Sequence, residues 1–363
     1  MNESISNHKI YLGAGPAALP STVLQEASEA VIEYQNSGLS ILEIPHRGSL
    51  FQNILDESKV LVRELCNLTD DYEVLWLPGG GRMQFCMIPM NFLGDDETAG
   101  YIDSGHWAHE AMKYGGHFGK ALPVCSSKNV DYSALPTFPN SLPNSLAYLH
   151  LTTNNTIYGT QWHNLPKQKN TLIADMSSDI FGTPRSFSHF DVFYAVAQKN
   201  LGAAGVTLVV MKKEMLEKTK RILPPMLCYA AHAQKHSVLN TPPVYAIYIS
   251  LLMLRWTKKK TLSVLHEENA QKAALLYDEL DRNNTFYPVV VNKSDRSLMN
   301  VCFRTKDDET TIEFSDFCTR NNIAGIKGHR SVGGFRASLY NATPLENVQT
   351  LVAVMQEFER RYS

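Results

Sequence analysis

The chain has 363 residues, of which 44% are hydrophobic, and it carries 34 basic and 36 acidic side chains for a formal net charge of -2. This length and apolar fraction are enough to bury a large core, and they predict two unequal domains. The near-neutral charge excludes a broad basic surface for nucleic acid, so we expect small-molecule partners.

The cysteines and the apolar runs indicate the compartment. Six cysteines are scattered without a Cys-x-x-Cys pair, at Cys66, Cys86, Cys125, Cys228, Cys302 and Cys318. This spacing fits reduced thiols better than a disulfide framework. Residues 1–9 are polar, and the longest apolar run, residues 244–254, is too short to span a bilayer. We therefore expect a soluble cytoplasmic protein that does not enter a membrane.

Two amphipathic helices open the predicted order of elements, over residues 23–34 and 51–65, where apolar residues recur at helical spacing. Six short apolar runs follow, at residues 73–77, 99–102, 147–151, 172–175, 192–197 and 206–211. Their hydrophobicity is continuous rather than alternating, which is typical of strands buried on both faces. The pattern predicts an α/β fold with a mixed, mostly parallel sheet between helices.

A basic run at residues 258–260 follows an apolar helix and predicts a change of domain, because clustered like charges usually mark a solvated connection. Beyond it the pattern predicts a smaller α+β unit with a long helix from about residue 262. Strands near 287–291, 299–304 and 335–340, a helix near 311–321 and a closing helix after 345 complete that unit. We predict a large domain over residues 15–258 and a small C-terminal domain over residues 259–363, with residues 1–14 packing on the small one.

Lys199 lies where the apolar run at 192–197 ends in a turn, before another apolar run begins. An amine that condenses with an aldehyde has to be held in place, partly desolvated and available as the neutral base. Pyridoxal phosphate is the cofactor that requires such a lysine. A solvated lysine at a strand tip is the structural alternative.

A glycine-rich turn, Gly-Gly-Gly-Arg at residues 79–82, follows the strand at 73–77 and precedes a predicted buried helix. Backbone N–H groups in such a turn, with the positive end of a helix, favour an anion such as a cofactor phosphate. A plain tight turn is the alternative. Trp107 follows the next strand, where its indole is placed either to stack on an aromatic cofactor or to fill the core.

Asp175 ends the apolar run at 172–175, where a buried carboxylate needs a partner. A pyridine nitrogen supplies one, since an ionised carboxylate keeps that nitrogen protonated and lets the ring act as an electron sink. A helix cap is the competing interpretation.

Three basic clusters lie in turns: His46-Arg47, His329-Arg330 and Arg336. Guanidinium groups match carboxylate and phosphate oxygens two by two, so the clusters indicate a dicarboxylate or phospho-acid substrate if they converge. Exposed, solvated arginines are the alternative.

Taken in order, these motifs resemble the phosphoserine aminotransferases, fold-type I enzymes of the class V aminotransferase group. The block at residues 328–342, Gly-His-Arg-x-Val-Gly-Gly-x-Arg-Ala-Ser-x-Tyr-Asn-Ala, favours this family over its relatives. The resemblance covers nearly the whole chain. It implies amino transfer between glutamate and 3-phosphohydroxypyruvate, giving O-phosphoserine and 2-oxoglutarate in serine biosynthesis. It also implies a pyridoxal 5'-phosphate cofactor and a homodimer with shared active sites.

The resemblance implies a role for each residue around the cofactor. Lys199 forms the Schiff base, Asp175 lies at the ring nitrogen and Trp107 stacks on the ring. Gly81 and Arg82 bind the cofactor phosphate, and Thr156 forms a hydrogen bond on the side of the ring hydroxyl. Gln198 stands beside the lysine.

The resemblance also implies residues from a neighbouring subunit and residues for the substrate. Asn240 and Thr241, before two prolines, match the pair with which a neighbouring subunit completes the phosphate site. Arg336 would bind the α-carboxylate of the substrate. The residues expected around the substrate phosphate are His46, Arg47, His329 and Arg330.

Four positions depart from the family pattern: Ala14, Thr153, Asn155 and Ala203. They lie in loops expected near the pocket, so they bear on the preferred substrate rather than on the cofactor. The related 4-phosphohydroxythreonine reaction of pyridoxine biosynthesis therefore stays open beside the phosphoserine reaction.

Other classes of protein explain the sequence less well. A serine–pyruvate-type aminotransferase or a cysteine desulfurase shares the lysine but gives no reason for so many phosphate-suited basic residues. Residues 13–18 fit the G-x-G-x-x-A pattern of an NAD-dependent oxidoreductase, yet a proline follows the second glycine. His106, His109 and Glu110 lack the H-E-x-x-H spacing of zinc enzymes, so we expect no metal. A binding protein without catalytic activity needs neither Lys199 nor Asp175.

Overall fold

The computed structural model describes residues 9–143, 145–165 and 168–362. Its strands in chain order are β1 (Ile10–Tyr11), β2 (Tyr72–Pro78), β3 (Thr98–Asp103), β4 (Lys120–Ser126), β5 (Leu146–Thr152), β6 (Leu172–Asp175), β7 (Val192–Val196), β8 (Val206–Lys212), β9 (Phe286–Pro288), β10 (Asn300–Thr305), β11 (Ile323–Ala324) and β12 (Phe335–Ser338). Its α-helices are α1 (Ser21–Ile32), α2 (Ser49–Cys66), α3 (Gly81–Phe92), α4 (His106–Gly115), α5 (Tyr229–Gln234), α6 (Val244–Lys260), α7 (Leu262–Arg282), α8 (Asp308–Arg320) and α9 (Leu345–Tyr362).

The central element is a seven-stranded sheet with the order β2-β8-β7-β6-β5-β3-β4. Strands β7, β6, β5, β3 and β4 are parallel to one another. Strand β8 is antiparallel to both of its neighbours, β2 and β7. The mixed, mostly parallel sheet predicted from the sequence is therefore confirmed.

The two faces of this sheet form two separate cores, which explains the continuous hydrophobicity of its strands. Along β2, Val74 and Trp76 face the helices α1, α2 and α6, while Leu75 and Leu77 face α3, α4 and α5. A strand covered on both faces buries every side chain, so its residues do not alternate between apolar and polar.

A third core lies between helices α7, α8 and α9 and the antiparallel sheet β12-β10-β9. The chain start joins this unit, because Leu12 is buried in the same core and Ile10 pairs with Ile323 in parallel strands β1 and β11. Residues 1–8, which belong to the segment expected to pack there, lie outside the described residues.

The predicted domain boundary depends on the basic run at 258–260, and that run forms the last turn of α6 instead of a separate connection. Cations are favoured there because the carboxyl end of a helix carries partial negative charge. The Lys258 and Lys260 ammonium groups also pair with Glu64 and Glu268. Leu262, the first residue of α7, still packs on the core of the large sheet, whereas Ala273 belongs to the third core. The division at residues 258 and 259 stays a prediction.

Several elements differ from the sequence-based expectation. β4 was not predicted, because as an edge strand it leaves most of its residues exposed or half-buried and contains Pro123. The strand expected over residues 287–291 is shorter and ends at Pro288, although the Val289 N–H still donates to the Cys302 carbonyl oxygen at 2.9 Å. Among the described helices, none combines the length and hydropathy needed to cross a membrane.

Candidate active site

A cavity of about 270 Å³ opens at the carboxyl ends of β5, β6 and β7 and beside the first turn of α3. Parallel strands bring the residues that follow them to one edge of a sheet, so short segments distant in sequence meet there. The lining residues are Gly80, Gly81, Arg82, Phe85, Trp107, Thr152, Asn154, Thr156, Asp175, Ser177, Ser178, Val196, Gln198 and Lys199. Seven of them are the residues expected within one chain around a cofactor.

Lys199 stands on the turn after β7 with its amine inside the cavity. Its Nζ donates a hydrogen bond to the Thr156 Oγ1 at 2.9 Å. Burial and the charge of Arg336 together lower the pKa of Lys199 to about 8, although the charges of Asp175 and Asp179 act in the opposite direction. A lysine with this lowered pKa supplies a neutral amine near physiological pH. Lys199 is therefore not the solvated lysine at a strand tip that the sequence left as the alternative.

Asp175 is the last residue of β6, and only 6% of its surface is exposed. Its Oδ1 accepts a hydrogen bond from the Ser177 N–H at 2.9 Å, which caps a turn, since no described helix begins there. Burial raises the pKa of Asp175, while the Ser177 bond and the charge of Lys199 oppose that effect. The carboxylate thus faces the cavity, and Lys199 is the cation whose charge acts on its pKa.

The glycine turn before α3 leaves a helix start pointing into the cavity. Gly79 has a φ of 100°, and its N–H donates to the Gly205 carbonyl oxygen at 3.0 Å. Helix α3 begins at Gly81, and no side chain among the described residues caps its first turn. Its first N–H groups are therefore available to an anion, and Arg82 adds a positive charge beside them.

Trp107 lies in the first turn of α4, half-buried, and lines the cavity. Its ring centroid is 5.4 Å from the Arg82 guanidinium carbon, and the ring is tilted against Phe85 at a centroid distance of 6.5 Å. The indole is thus a wall of the cavity and not an interior filler of the core.

The residues expected for the substrate are only partly gathered. Arg336 on β12 donates from its Nη1 to the Thr156 carbonyl oxygen at 3.1 Å. The rings of His329 and His106 lie 5.7 Å apart, beside Trp107. Burial lowers the pKa of His329, and the charges of His106, Arg336 and Arg330 lower it further. These basic side chains therefore lie near one another at the rim of the cavity.

None of the predicted substrate and neighbour-subunit residues lines the cavity within the described part of this single chain; they are His46, Arg47, Asn240, Thr241, His329, Arg330 and Arg336. Arg47, Thr241 and Arg330 are exposed, and His46 and Asn240 are half-buried. Asn240 and Thr241 are expected to act in a neighbouring subunit, so their place beside the phosphate stays a prediction. The roles of His46 and Arg47 also stay predictions.

The four departures from the family pattern lie behind the cavity. None of Ala14, Thr153, Asn155 and Ala203 is among the described lining residues. The Thr153 hydroxyl donates to Asp179, and the Asn155 amide nitrogen donates to the Thr160 hydroxyl at 2.8 Å. The side chains of Thr153 and Asn155 are thus used in buried hydrogen bonds, and the influence of the four departures on the preferred substrate stays a prediction.

Residues 13–18, the alternative dinucleotide motif, also lie at this site. A Cβ atom on Gly15 would stand 3.6 Å from the Lys199 Cγ, and the Ala17 N–H donates to the Gln198 carbonyl oxygen at 2.9 Å. The segment supports the lysine turn instead of joining a long strand to a helix as a dinucleotide motif does.

Sequence reasoning missed several lining residues: Thr152, Asn154, Ser177 and Ser178. Each is a small polar residue at a strand end or two to three residues beyond it, within four residues of a residue that was predicted. Short polar residues directly after an apolar run are the signal that indicates them.

Comparisons with known proteins agree on one family. The family model described as Aminotransferase class-V matches residues 10–351. The chain is 46% identical to the phosphoserine aminotransferase of Phocaeicola vulgatus, over 97% of this chain and 99% of that protein. It is 41% identical to the phosphoserine aminotransferase of Geobacillus kaustophilus, over 96% of this chain and 98% of the relative.

Solved structures extend this similarity to the fold. The phosphoserine aminotransferase from Bacillus circulans subsp. alkalophilus superposes with a TM-score of 0.95 at 38% identity, covering 99% of this chain and 100% of that one. The PLP-bound phosphoserine aminotransferase from Trichomonas vaginalis gives a TM-score of 0.91 at 31% identity, covering 96% of this chain and 100% of that one. With a cavity that presents a buried lysine, a buried carboxylate and an open helix start, the chain belongs to the class-V aminotransferase family.

Proposed function

We propose that this aminotransferase uses pyridoxal 5'-phosphate to move the amino group between glutamate and 3-phosphohydroxypyruvate, giving O-phosphoserine and 2-oxoglutarate in serine biosynthesis. The observation that carries the proposal is the pairing of Lys199 and Asp175 in one cavity whose wall includes the start of α3. The names and near-complete coverage of the relatives support the choice of substrate.

The residues of the cavity fit the proposed cofactor. A buried carboxylate is costly unless it has a cationic partner, and a protonated pyridine nitrogen would be one for Asp175. The uncapped N–H groups of α3 and the Arg82 guanidinium suit a phosphate. Trp107 offers its indole to a flat ring, and Lys199 offers its amine to an aldehyde. When bound, the cofactor supplies an electron sink for the bond changes at the substrate carbon.

The chain's own groups then have defined tasks. The Lys199 amine, once free, moves the proton at the substrate Cα, and its pKa of about 8 places it in the range where such a base works at neutral pH. The Thr156 hydroxyl holds the amine at 2.9 Å in the cavity. Asp175 would lie next to the ring nitrogen of the bound cofactor, where its carboxylate favours the protonated form of that nitrogen.

The substrate phosphate is the feature that separates this proposal from other class V aminotransferases. We place Arg336 on the substrate α-carboxylate, because its guanidinium reaches the Thr156 backbone beside the lysine. His329 and Arg330 approach the same rim, where cationic groups suit a phosphate or the distal carboxylate of glutamate. His46 and Arg47 are proposed to join this cluster in the assembled protein.

A homodimer with shared active sites is part of the proposal. Asn240 and Thr241 lie away from the cavity of their own chain, which supports a role in the phosphate site of a neighbour. The six cysteines form no disulfide, which supports a cytoplasmic location.

The visible absorption spectrum of the purified holoenzyme tests the function. We expect a yellow protein that glutamate bleaches, and the colour should return on addition of 3-phosphohydroxypyruvate. A protein that glutamate leaves unchanged would refute the proposal. Recovery by pyruvate as fast as by 3-phosphohydroxypyruvate would instead favour a serine–pyruvate-type enzyme, and recovery only by the phosphorylated 4-carbon oxo-acid would favour the pyridoxine pathway.

A further inference from the structure

Two buried polar side chains, Tyr194 and His150, have no role in the function proposed above. They lie on the two strands that flank the strand of Asp175. Tyr194 is completely buried in β7, and His150 is 2% exposed in β5. Buried polar groups are costly to desolvate unless they are hydrogen-bonded, so a tyrosine and a histidine inside a sheet call for an explanation.

The register of the sheet brings both side chains to the face that carries Asp175. Asp175 pairs with Tyr194 of β7 on one side and with Thr152 of β5 on the other. His150 precedes Thr152 by two residues, so its side chain points to the same face. The His150 Nε2 and the Tyr194 hydroxyl are 3.0 Å apart and form a hydrogen bond.

The tyrosine also interacts with the carboxylate. Burial raises the pKa of Tyr194 well above its ordinary value, and the charge of Asp175, its register neighbour on β6, raises it further. The Tyr194 hydroxyl therefore keeps its proton. It has one hydrogen to donate and two lone pairs with which to accept.

The protonation of His150 decides the direction of these bonds. Burial lowers the pKa of His150 to about 3, so the ring is neutral and carries one N–H. Its Nδ1 is buried without a hydrogen-bond partner among the described residues. With the proton on Nε2, His150 donates to the Tyr194 oxygen, and the tyrosine hydrogen is free for Asp175. With the proton on Nδ1, the ring would bury an unused donor and compete with Asp175 for that hydrogen.

We propose that His150 and Tyr194 are positioning residues that donate hydrogen bonds in series, from His150 Nε2 to the Tyr194 oxygen and from the Tyr194 hydroxyl to Asp175, and so hold that carboxylate ionised and aimed at the ring nitrogen. The inference rests on the proposed function, because it assigns the target of Asp175. Burial alone raises the pKa of Asp175, so every donor that stabilises its charged form preserves the charge that the ring nitrogen needs. The Ser177 N–H is one such donor, and the proposed series would make the Tyr194 hydroxyl the second.

Tyr101 offers a matched control in the same buried cluster. Its ring is 5.4 Å from that of His150, but its hydroxyl bonds to the Tyr148 hydroxyl at 2.7 Å. Tyr101→Phe removes a buried hydroxyl near His150 without touching the series that ends on Asp175. A loss of activity that both Phe variants share is therefore a structural effect. A loss of activity confined to Tyr194→Phe is specific to the series that ends on Asp175.

The first experiment reads the histidine tautomer in the protein without cofactor. NMR of protein labelled with ¹⁵N-histidine should show His150 with a proton on Nε2 and an unprotonated Nδ1. The Nδ1–H tautomer would overturn the series.

The second experiment loads each variant with ¹⁵N-labelled pyridoxal phosphate and follows the ring nitrogen by NMR, with kcat and KM measured beside it. We expect Tyr194→Phe to shift the ring nitrogen toward the unprotonated form and to lower kcat about tenfold to a hundredfold, because it removes a hydrogen bond to a charged group. KM should change far less, and Tyr101→Phe should match the parent protein in both measurements.

The histidine variants keep the inference testable if Tyr194→Phe does not fold. His150→Gln retains an N–H donor near the Nε2 position and should preserve the ring-nitrogen signal, whereas His150→Leu should move it. An unchanged ring nitrogen in every folded variant, in a parent protein that glutamate does bleach, would overturn the positioning role and leave the proposed function intact. A parent protein that glutamate does not bleach would instead remove the proposed function.

Discussion

The floor of the cavity and its rim are built in different ways. The floor consists of residues that end strands or begin a helix, such as Asp175, Lys199 and Gly81, and all of them line one cavity in a single chain. The rim consists of loop residues such as His329 and Arg330, and the His329 ring contacts that of His106 beside the cavity. Sheet register places the floor residues, whereas the rim residues depend on loop packing and, in our proposal, on a second subunit.

This difference separates two kinds of chemistry. The floor is buried, so charges there interact strongly and shift each other's protonation, as with Lys199 and Asp175. The rim is exposed to solvent, so several cations are needed to hold an anion. We therefore expect floor substitutions to affect the reaction itself and rim substitutions to affect the choice of substrate.

The largest expected effect comes from the floor. Lys199→Ala removes both the amine that links the cofactor and the base at the substrate carbon, so turnover should fall at least about a thousandfold. Treatment with borohydride should no longer attach the cofactor to the chain, as mass spectrometry of the intact protein would show. Lys213→Ala, at an exposed lysine after β8, is the control and should retain both properties. Full activity in Lys199→Ala would end the assignment.

The rim should give a smaller and selective effect. Arg330→Ala should raise KM for 3-phosphohydroxypyruvate about tenfold to a hundredfold, since a charge-assisted bond to the phosphate is lost. The kinetics with an unphosphorylated oxo-acid should change little. Arg336→Ala is the matched comparison and should impair both substrates, because both carry the α-carboxylate. Equal losses for the two substrates in Arg330→Ala would contradict a phosphate role.

The floor residues also show which parts of the fold and of the site can be predicted from the sequence alone. Buried strands are read from apolar runs, and Lys199 and Asp175 stand at the ends of such runs, so their meeting follows from a parallel sheet. Edge strand β4 escaped prediction because Pro123 interrupts its short apolar run, which is typical of a segment outside the sheet interior. His150 and Tyr194 escaped as well, since single polar residues inside strands have no local pattern, and only the register shows that they share a face with Asp175.

The rim lay beyond sequence reasoning for a different reason. The motif around residues 328–342 was recognised as a block, but its loop conformation depends on contacts such as the one from the Arg336 N–H to the Ile326 carbonyl oxygen at 2.7 Å. Spacing in sequence does not determine which loops meet across the cavity. Whether His46 and Arg47 reach it requires the assembled protein, so their roles stay proposals.

A glycine substitution tests the phosphate end of the floor. Gly79 has a φ of 100°, where any side chain is strained, and it orients the turn that exposes the start of α3. Gly79→Ala should weaken binding of pyridoxal phosphate to the apoprotein by about threefold to tenfold, in line with a strain of about 1 kcal/mol.

Gly38→Ala carries the same kind of strain, at a φ of 73° and with open space around it. It should lower the melting temperature without changing cofactor affinity, as calorimetry and fluorescence titration would show. Equal affinities for both variants would argue against a phosphate site at this turn.

The smallest effect concerns the protonation of Lys199. Its pKa is lowered from 10.5 to about 8, and only the neutral amine attacks an aldehyde. The rate at which the apoprotein attaches pyridoxal phosphate, followed by visible absorbance, should therefore rise with pH and level off above about 8 instead of rising to about 10.5. Arg336 lowers the pKa of Lys199 by its charge, so Arg336→Gln should move the midpoint to higher pH. Asp175→Asn should move it to lower pH, because the carboxylate favours the charged amine. Shifts in these opposite directions, caused by one residue from β12 and one from β6, would show that the rim and the floor act on the same amine.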